Sequence, residues 1–321
     1  MNHSKHALSS AIILSIMMTA AGCSSSGDGS KGPDNNDGQN GGDINQKNFT
    51  VIQGTDLNTK SSALLSFNPG GPGGSSNQSQ RAGDVLQAED GVDSILIGGL
   101  GVDVMLGASG DDILIGGTED FNSSVDGDNK GADNRDRAFG NGGDDLFIWT
   151  PGDGSDFFDG GDGVDVLVLG VIGEQRDNNG ATEGAPFFNV SPPGREGSQD
   201  FDGIFLDQNN QPVVKVSTSP GFCTVVDKSE HAEELELLNL DHIVRFTLRG
   251  VAEDFEAGVR TDDDGLRIAI SAKNVEYLVC APKVTTDGSA TDNIEVLDLT
   301  TTPPRLALLS ELPEHIAQMI Q

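Results

Sequence analysis

The sequence predicts an all-β protein, and three observations carry that expectation. A loop of glycine and aspartate recurs at nine-residue spacing, and each copy runs into a short apolar stretch. Those stretches, among them Ile95-Leu96-Ile97 and Val166-Leu167-Val168-Leu169, have the length and β-branched character of strands and are too short for helices. Beyond residue 201 further apolar runs, at 213–216, 243–248, 266–270 and 275–279, read as strands in the same way.

Composition limits what such a chain can meet. Its 51 acidic side chains stand against 19 basic ones, a formal net charge of -32. That surface repels nucleic acid and anionic lipid, which excludes both as partners, and it attracts cations. The 43 glycines and the acidic excess favour disorder until the carboxylates are neutralised. The apolar runs then give the chain something to bury.

In chain order, residues 1–22 read as an export signal. Lys5 and His6 precede the apolar run Ala11-Ile12-Ile13-Leu14-Ser15-Ile16-Met17-Met18, which is too short to remain as a spanning helix. The run ends in Ala20-Ala21-Gly22-Cys23, which resembles the lipobox of bacterial lipoproteins. The resemblance implies that Cys23 is acylated and becomes the first residue, leaving a lipid anchor as the only contact with a membrane. Ser24 resembles the sorting signal for the outer membrane of Gram-negative bacteria, so the expected location is the outer membrane or cell surface. Residues 23–82 form a Gly-, Asn- and Ser-rich tether and linker, with short strands expected near 49–52 and 63–65. Residues 83–169 hold the repeats, 170–200 are a loop, and 201–321 form a β-rich region ending in a short helix over 306–320. With Cys23 used for lipid, Cys223 and Cys280 remain as a pair in an oxidising compartment, where a disulfide is expected.

The repeats carry the chemistry. Gly98-Gly99-Leu100-Gly101-Val102-Asp103-Val104-Met105-Leu106 is followed at once by Gly107-Ala108-Ser109-Gly110-Asp111-Asp112-Ile113-Leu114-Ile115. Gly140-Asn141-Gly142-Gly143-Asp144-Asp145-Leu146-Phe147-Ile148 and Gly160-Gly161-Asp162-Gly163-Val164-Asp165-Val166-Leu167-Val168 come later, with weaker copies at 88–96, 131–139 and 151–159. Residues 84–168 hold 20 acidic and three basic side chains. These copies resemble the RTX, or haemolysin-type, calcium-binding nonapeptide, a repeat already known to bind metal. The resemblance covers about a quarter of the chain.

It implies a right-handed parallel β-roll in which two nonapeptides make one turn, with a C-terminal β-rich region packed on it or continuing it. It implies Ca2+ as cofactor, held between stacked loops on both edges. The position-six aspartates, Asp93, Asp103, Asp112, Asp136, Asp145, Asp156 and Asp165, would supply carboxylate oxygens to this hard cation. Backbone carbonyls at Gly91, Gly99, Gly101, Gly110, Gly143, Gly154, Gly161 and Gly163 would complete the shell. Repeats one turn apart would share ions, pairing Asp93 with Asp112, Asp136 with Asp156, and Asp145 with Asp165. Position eight would point inward, as Ile95, Met105, Leu114, Ala138, Phe147, Phe158 and Leu167. The neighbouring position-five residues Asp111 and Asp144 would point out to water.

Positions seven and nine should face outward, yet Val104, Ile113, Leu146, Phe157 and Val166, with Leu96, Leu106, Phe139, Ile148 and Val168, are apolar. A band of that size is rarely left wet, so residues 201–321 or a partner chain should cover it. Ala290-Thr291-Asp292-Asn293-Ile294 fits positions four to eight and hints that the solenoid continues. The 118–130 insertion reads as a loop, since Lys130 and Arg137 occupy places an EF-hand gives to ligands. Asp262-Asp263-Asp264-Gly265 reads as a hairpin turn.

Catalytic arrangements find little support. The histidines His3, His6, His231, His242 and His315 make no zinc motif, and no Gly-x-Ser-x-Gly occurs. A single Trp, Trp149, and a single Tyr, Tyr277, leave little for stacking sugars. The expected function is a calcium-binding, non-enzymatic envelope lipoprotein whose roll serves as a scaffold or adhesion module. The other class left open is an enzyme whose catalytic part lies in 201–321.

Overall fold

The apolar runs become the strands of two large sheets. In the computed structural model the described residues are 48–54, 84–100, 103–118, 136–150, 155–172, 174–176, 180–182, 201–204, 211–258, 268–286, 288 and 290–321. The export signal, Cys23, most of the linker and of the 118–130 insertion, Gly101, Gly154, most of the 170–200 loop and the 262–265 turn lie outside them.

The strands, numbered in chain order, are β1 (Thr50–Gln53), β2 (Val85–Gln87), β3 (Ser94–Leu100), β4 (Val104–Leu106), β5 (Ile113–Thr118), β6 (Arg137–Gly142), β7 (Leu146–Trp149), β8 (Phe157–Asp162) and β9 (Val166–Leu169). Then come β10 (Glu174–Arg176), β11 (Gly180–Thr182), β12 (Phe201–Ile204), β13 (Gly221–Val226), β14 (His242–Leu248), β15 (Ile268–Lys273), β16 (Tyr277–Cys280), β17 (Glu295–Asp298) and β18 (Arg305–Ala307).

Through the repeats the chain alternates between sheets. The first sheet has the order β1-β3-β5-β7-β9-β16-β17-β18 and the second β13-β14-β15-β8-β6-β4-β2. Every pairing among β1, β3, β5, β7, β9 and β16 is parallel, as is every pairing among β2, β4, β6, β8 and β15. β17 and β18 close one sheet antiparallel, and β14 and β13 close the other, so both sheets are mixed. β10, β11 and β12 form a small antiparallel sheet. The all-β expectation holds.

Side-chain alternation then divides the core in two. One cluster joins the sheets through Leu86, Leu96, Met105, Leu114, Ala138, Phe147, Phe158 and Leu167, which includes six of the seven expected inward residues. The exception is Ile95. Register pairs Ile95 with Ile113, Leu96 with Leu114 and Ile97 with Ile115, so Leu96 faces inward and Ile95 faces out. The first copy therefore spans 89–97 and abuts Gly98 directly, one residue later than the glycine at Gly91 suggested. Continuity of the nine-residue spacing decides the register over one matching glycine.

The second cluster lies on the outer face of the first sheet. Ile95, Ile97, Ile113, Ile115, Leu146, Ile148, Val166 and Val168 are covered there by Val214, Val216, Leu312, Ile316, Met319 and Ile320. The C-terminal region thus covers the apolar band on this sheet, as its composition required. On the second sheet Val104, Leu106, Phe139 and Phe157 are only half-buried, and the Phe139 and Phe157 rings stand 5.6 Å apart.

Three further differences stand out. Residues 290–293 form a 3-10 turn and not a strand; the sheets continue instead at β15 and β16. The terminal helix is a single turn, Glu314–Ala317, docked by buried Ile316. Helices α1 (Lys228–Leu238) and α2 (Arg249–Glu256) occupy a region where only strands were expected. Asp227 caps the first by accepting from the Ser229 amide at 2.6 Å, and Asn239 ends it in the left-handed conformation.

The expected disulfide joins Cys223 of β13 to Cys280 of β16, with Cα atoms 6.2 Å apart. It links β13, the edge strand of the second sheet, to β16 within the first. By loop-closure entropy such a bridge is worth about 4 kcal/mol, because it restricts the unfolded chain.

Candidate metal centre

At each edge of the sheets, the loops place one carboxylate above the next. On the edge feeding the first sheet, the Ser94 amide donates to Asp112 Oδ1 at 2.8 Å. The Asp112 amide donates to Asp145 Oδ1 at 2.7 Å, and the Asp145 amide donates to Asp165 Oδ1 at 3.0 Å. On the other edge the Asp84 and Asp103 amides donate to Asp103 and Asp136 Oδ1, both at 2.6 Å, and the Asp136 amide donates to Asp156 Oδ1 at 3.0 Å. Each position-six aspartate spends one oxygen on the backbone of the preceding turn. Asp136 and Asp156, and likewise Asp145 and Asp165, therefore lie next to each other in neighbouring loops.

Asp93 does not belong to this row. The one-residue shift of the first copy puts Ser94 at position six and Asp93 at position five, where its Oδ1 accepts from the Asp111 amide at 2.9 Å. The expected Asp93–Asp112 pair is replaced by Asp93–Asp111. Position five forms a ladder of its own, for the Asp144 amide donates to Asp111 Oδ1 at 2.8 Å and the Val164 amide to Asp144 Oδ1 at 2.9 Å. Asp111 and Asp144 are half-buried rather than turned out to water. Two adjacent aspartates in a tight turn both find a backbone donor in a stacked neighbour, which the sequence alone could not show.

The second oxygen of the position-six residues sets them apart. Asp103, Asp145 and Asp165 are 0 % exposed, and the Oδ2 atom of each has no hydrogen-bond partner. Asp156 is equally buried. Asp112 differs, since its Oδ2 accepts from the Ala108 amide at 2.9 Å. A buried carboxylate oxygen without a donor costs several kcal/mol unless a cation or a proton meets it.

Position-one glycines show where those oxygens lie. An added Cβ at Gly98 would strike Asp103 Oδ2 and the Gly116 carbonyl oxygen together. At Gly140 it would strike Asp145 Oδ2 and the Gly160 carbonyl, and at Gly160 it would strike Asp165 Oδ2 and the Asn274 carbonyl. The repeat needs glycine there because two oxygens converge on the Cα hydrogens. Position four is equally close: a Cβ at Gly143 would strike the Gly110 carbonyl and one at Gly163 the Gly143 carbonyl, and both residues have positive φ, 119° and 145°. At Gly110 the neighbour is the Val92 carbonyl, so Val92 and not Gly91 holds that place in the first turn. Gly161 has φ 110° and stacks on the Asn141 carbonyl, while Gly99 pairs with Gly117 within the strands.

Burial and like charge act together on these carboxyls. Burial first, and then neighbouring carboxylates, push Asp145 up to about 8, and both effects push Asp103 and Asp165 up to about 7. Asp136 is raised well above the ordinary range by burial and by Asp103 and Asp156, and Asp112 is raised mainly by burial.

The donor set consists of hard oxygens only, and it fits a calcium ion. Among the described residues no three His, Cys, Asp or Glu side chains gather at one point. A cation here would take one or two carboxylates and draw its other oxygens from turn carbonyls. Sequence reasoning missed Glu276, whose Oε2 accepts from the Asp165 amide at 2.8 Å, because no nonapeptide surrounds it. No protein-family model, curated protein or solved structure matches the chain.

Proposed function

We propose that the chain is a calcium-binding, non-enzymatic lipoprotein of the bacterial outer membrane or cell surface. Its repeats form a right-handed parallel β-roll of the RTX kind that folds on calcium and serves as a rigid scaffold or adhesion module. The observation that carries this reading is the set of buried Oδ2 atoms without hydrogen-bond partners on Asp103, Asp145 and Asp165. A backbone carbonyl converges beside each of the three in its glycine cradle. Parallel pairing of alternate strands supports the roll.

In this reading Asp145 and Asp165, with Asp103, Asp136 and Asp156 opposite, hold the ions, and turn carbonyls complete their shells. Calcium supplies the positive charge that lets the carboxylates stack. Asp145→Asn tests the assignment. The amide keeps the oxygen that accepts from the Asp112 backbone and puts a donor where Oδ2 was. Calorimetric titration of the full chain should show loss of at least one calcium, and in chelator at pH 7 the variant should keep more β structure than wild type. Asp144→Asn keeps its bond to Val164 and should leave the calcium count unchanged, with stability altered by about 1 kcal/mol or less. Equal losses of calcium in the two variants would contradict the assignment.

The anchoring half of the proposal rests on the Ala20-Ala21-Gly22-Cys23 signature and the polar tether behind it. Intact-mass analysis of membrane-extracted protein should show a chain starting at Cys23 and heavier by its acyl groups. An unmodified Cys23 would remove the anchor.

A further inference from the structure

On the edge feeding the first sheet, the row of carboxylate rungs does not end with the last nonapeptide. We propose that Glu276, the Asn274 carbonyl and Asp165 form a further cation site, one turn beyond the repeats, that ties the C-terminal region to the calcium stack. This deepens the calcium reading above and rests on it.

Glu276 takes the place of a position-six aspartate. The Asp165 amide donates to Glu276 Oε2 at 2.8 Å, as the Asp145 amide donates to Asp165 Oδ1 at 3.0 Å. The Tyr277 amide donates back to the Asp165 carbonyl at 3.1 Å, as the Val166 amide does to the Asp145 carbonyl at 2.9 Å, and Tyr277 pairs with Val166 in register. The turn leading to this rung is shorter, running from Asn274 to Glu276, whereas the repeats run from Gly140 to Asp145 and from Gly160 to Asp165. Asn274 makes that turn at φ 49°, and the extra methylene of glutamate restores the reach that the shortened loop removes.

The independent sign of a ligand is on Asp165. That residue is 0 % exposed and its Oδ2 has no hydrogen-bond partner. Its Oδ2 and the Asn274 carbonyl oxygen are the atoms that a Cβ at Gly160 would strike, so both converge on one side of the turn. Neighbouring carboxylates are already answered. Asp159 meets Lys273 Nζ at 3.2 Å and the Asn274 side chain at 2.7 Å, and Asp241 pairs with Lys228 and accepts from the Asn274 amide at 2.9 Å. Burial raises both Asp165 and Glu276, as expected of carboxyls stacked without a counter-ion. What remains between the two is uncompensated negative charge and hard oxygen.

Position gives the site a role. β16 begins at Tyr277, directly after Glu276, pairs with the last repeat strand β9 and carries Cys280 of the disulfide. An ion between Asp165 and Glu276 makes the docking of the C-terminal strands depend on calcium, although no nonapeptide lies there.

Glu276→Gln in the full chain tests this. The amide oxygen still accepts from the Asp165 backbone, but the charge is gone. Equilibrium dialysis against calcium alone should show one ion fewer than wild type, or one ion bound at least about tenfold more weakly, since ligand charge sets calcium affinity. Wild-type stoichiometry and affinity in Glu276→Gln would overturn the terminal site while leaving the repeat sites intact. A wild-type chain that binds no calcium would overturn the parent reading and this one together. Should Glu276→Gln not fold, Glu276→Asp keeps the charge and withdraws it by one methylene. It should retain the ion count with one site weakened, and full wild-type affinity in that variant would equally overturn the site.

Discussion

Removal of calcium at pH 7 is expected to abolish the cooperative β fold of the repeat region, and millimolar calcium to restore it. The reason is electrostatic. Asp103, Asp145 and Asp165 are fully buried with one oxygen unanswered, and carboxylates one turn apart repel each other. Without a cation each buried charge costs several kcal/mol, and a whole domain is stable by only about 5–15 kcal/mol. An ion that binds only the folded repeat region adds about 4 kcal/mol per site when its concentration is a thousand times its dissociation constant. A few sites would therefore decide whether the repeat region folds. Circular dichroism and thermal melting in excess chelator and in calcium read this directly. An unchanged cooperative β transition in chelator contradicts it.

Acid should replace calcium. Asp145 is pushed from its ordinary 3.8 up to about 8, and Asp103 and Asp165 up to about 7. A carboxyl raised in the folded state binds its proton more tightly there than in the unfolded chain. Its favourable contribution is complete below pH 4 and is lost as pH climbs through 7 to 8. For Asp145 alone the loss between pH 4 and pH 7 is roughly 4 kcal/mol at 1.4 kcal/mol per unit. In chelator a cooperative melting transition should thus be present near pH 5 and weaken until it is lost by about pH 7, opposite to the behaviour of ion-paired carboxylates. In saturating calcium the trend should flatten or reverse, because calcium binds the deprotonated form and affinity rises with pH until these groups are ionised. A chelated protein whose stability rises from pH 5 to 8 would show that the buried carboxyls find other partners.

Much of this arrangement is legible in the residues. The nonapeptide frame, starting at Gly98 and restarting at Gly131 and Pro151, places Asp103, Asp112, Asp136, Asp145, Asp156 and Asp165 at equivalent loop positions, and the structure keeps all six there. Period-two alternation in the short strands predicts both the shared interior and the apolar outer band, and a band such as Ile113, Ile115, Leu146 and Ile148 implies a cover. That the cover is Val214, Val216 and the terminal residues around Ile316 depends on long-range packing, which no local pattern records. The first copy misleads because Gly91 and Asp93 satisfy the motif one residue too early. Only the pairing of Ile95-Leu96-Ile97 with Ile113-Leu114-Ile115 fixes its register. Helix α1 had readable signals in Asp227 and Asn239 and in its run of Glu and Leu, which favour helix over strand. Glu276 had none, for its role follows from where β16 joins β9.

X-ray absorption at the calcium edge, on the calcium-loaded full chain, tests most directly whether the buried carboxylates hold calcium. The expected shell is six to eight oxygens at about 2.3–2.6 Å with no nitrogen or sulfur neighbour, supplied by carboxylates and turn carbonyls. Asp145→Asn with Asp103→Asn should lower the calcium retained after desalting. A hydrated ion that washes away on desalting, with the wild-type fold unchanged, would contradict a calcium-built roll.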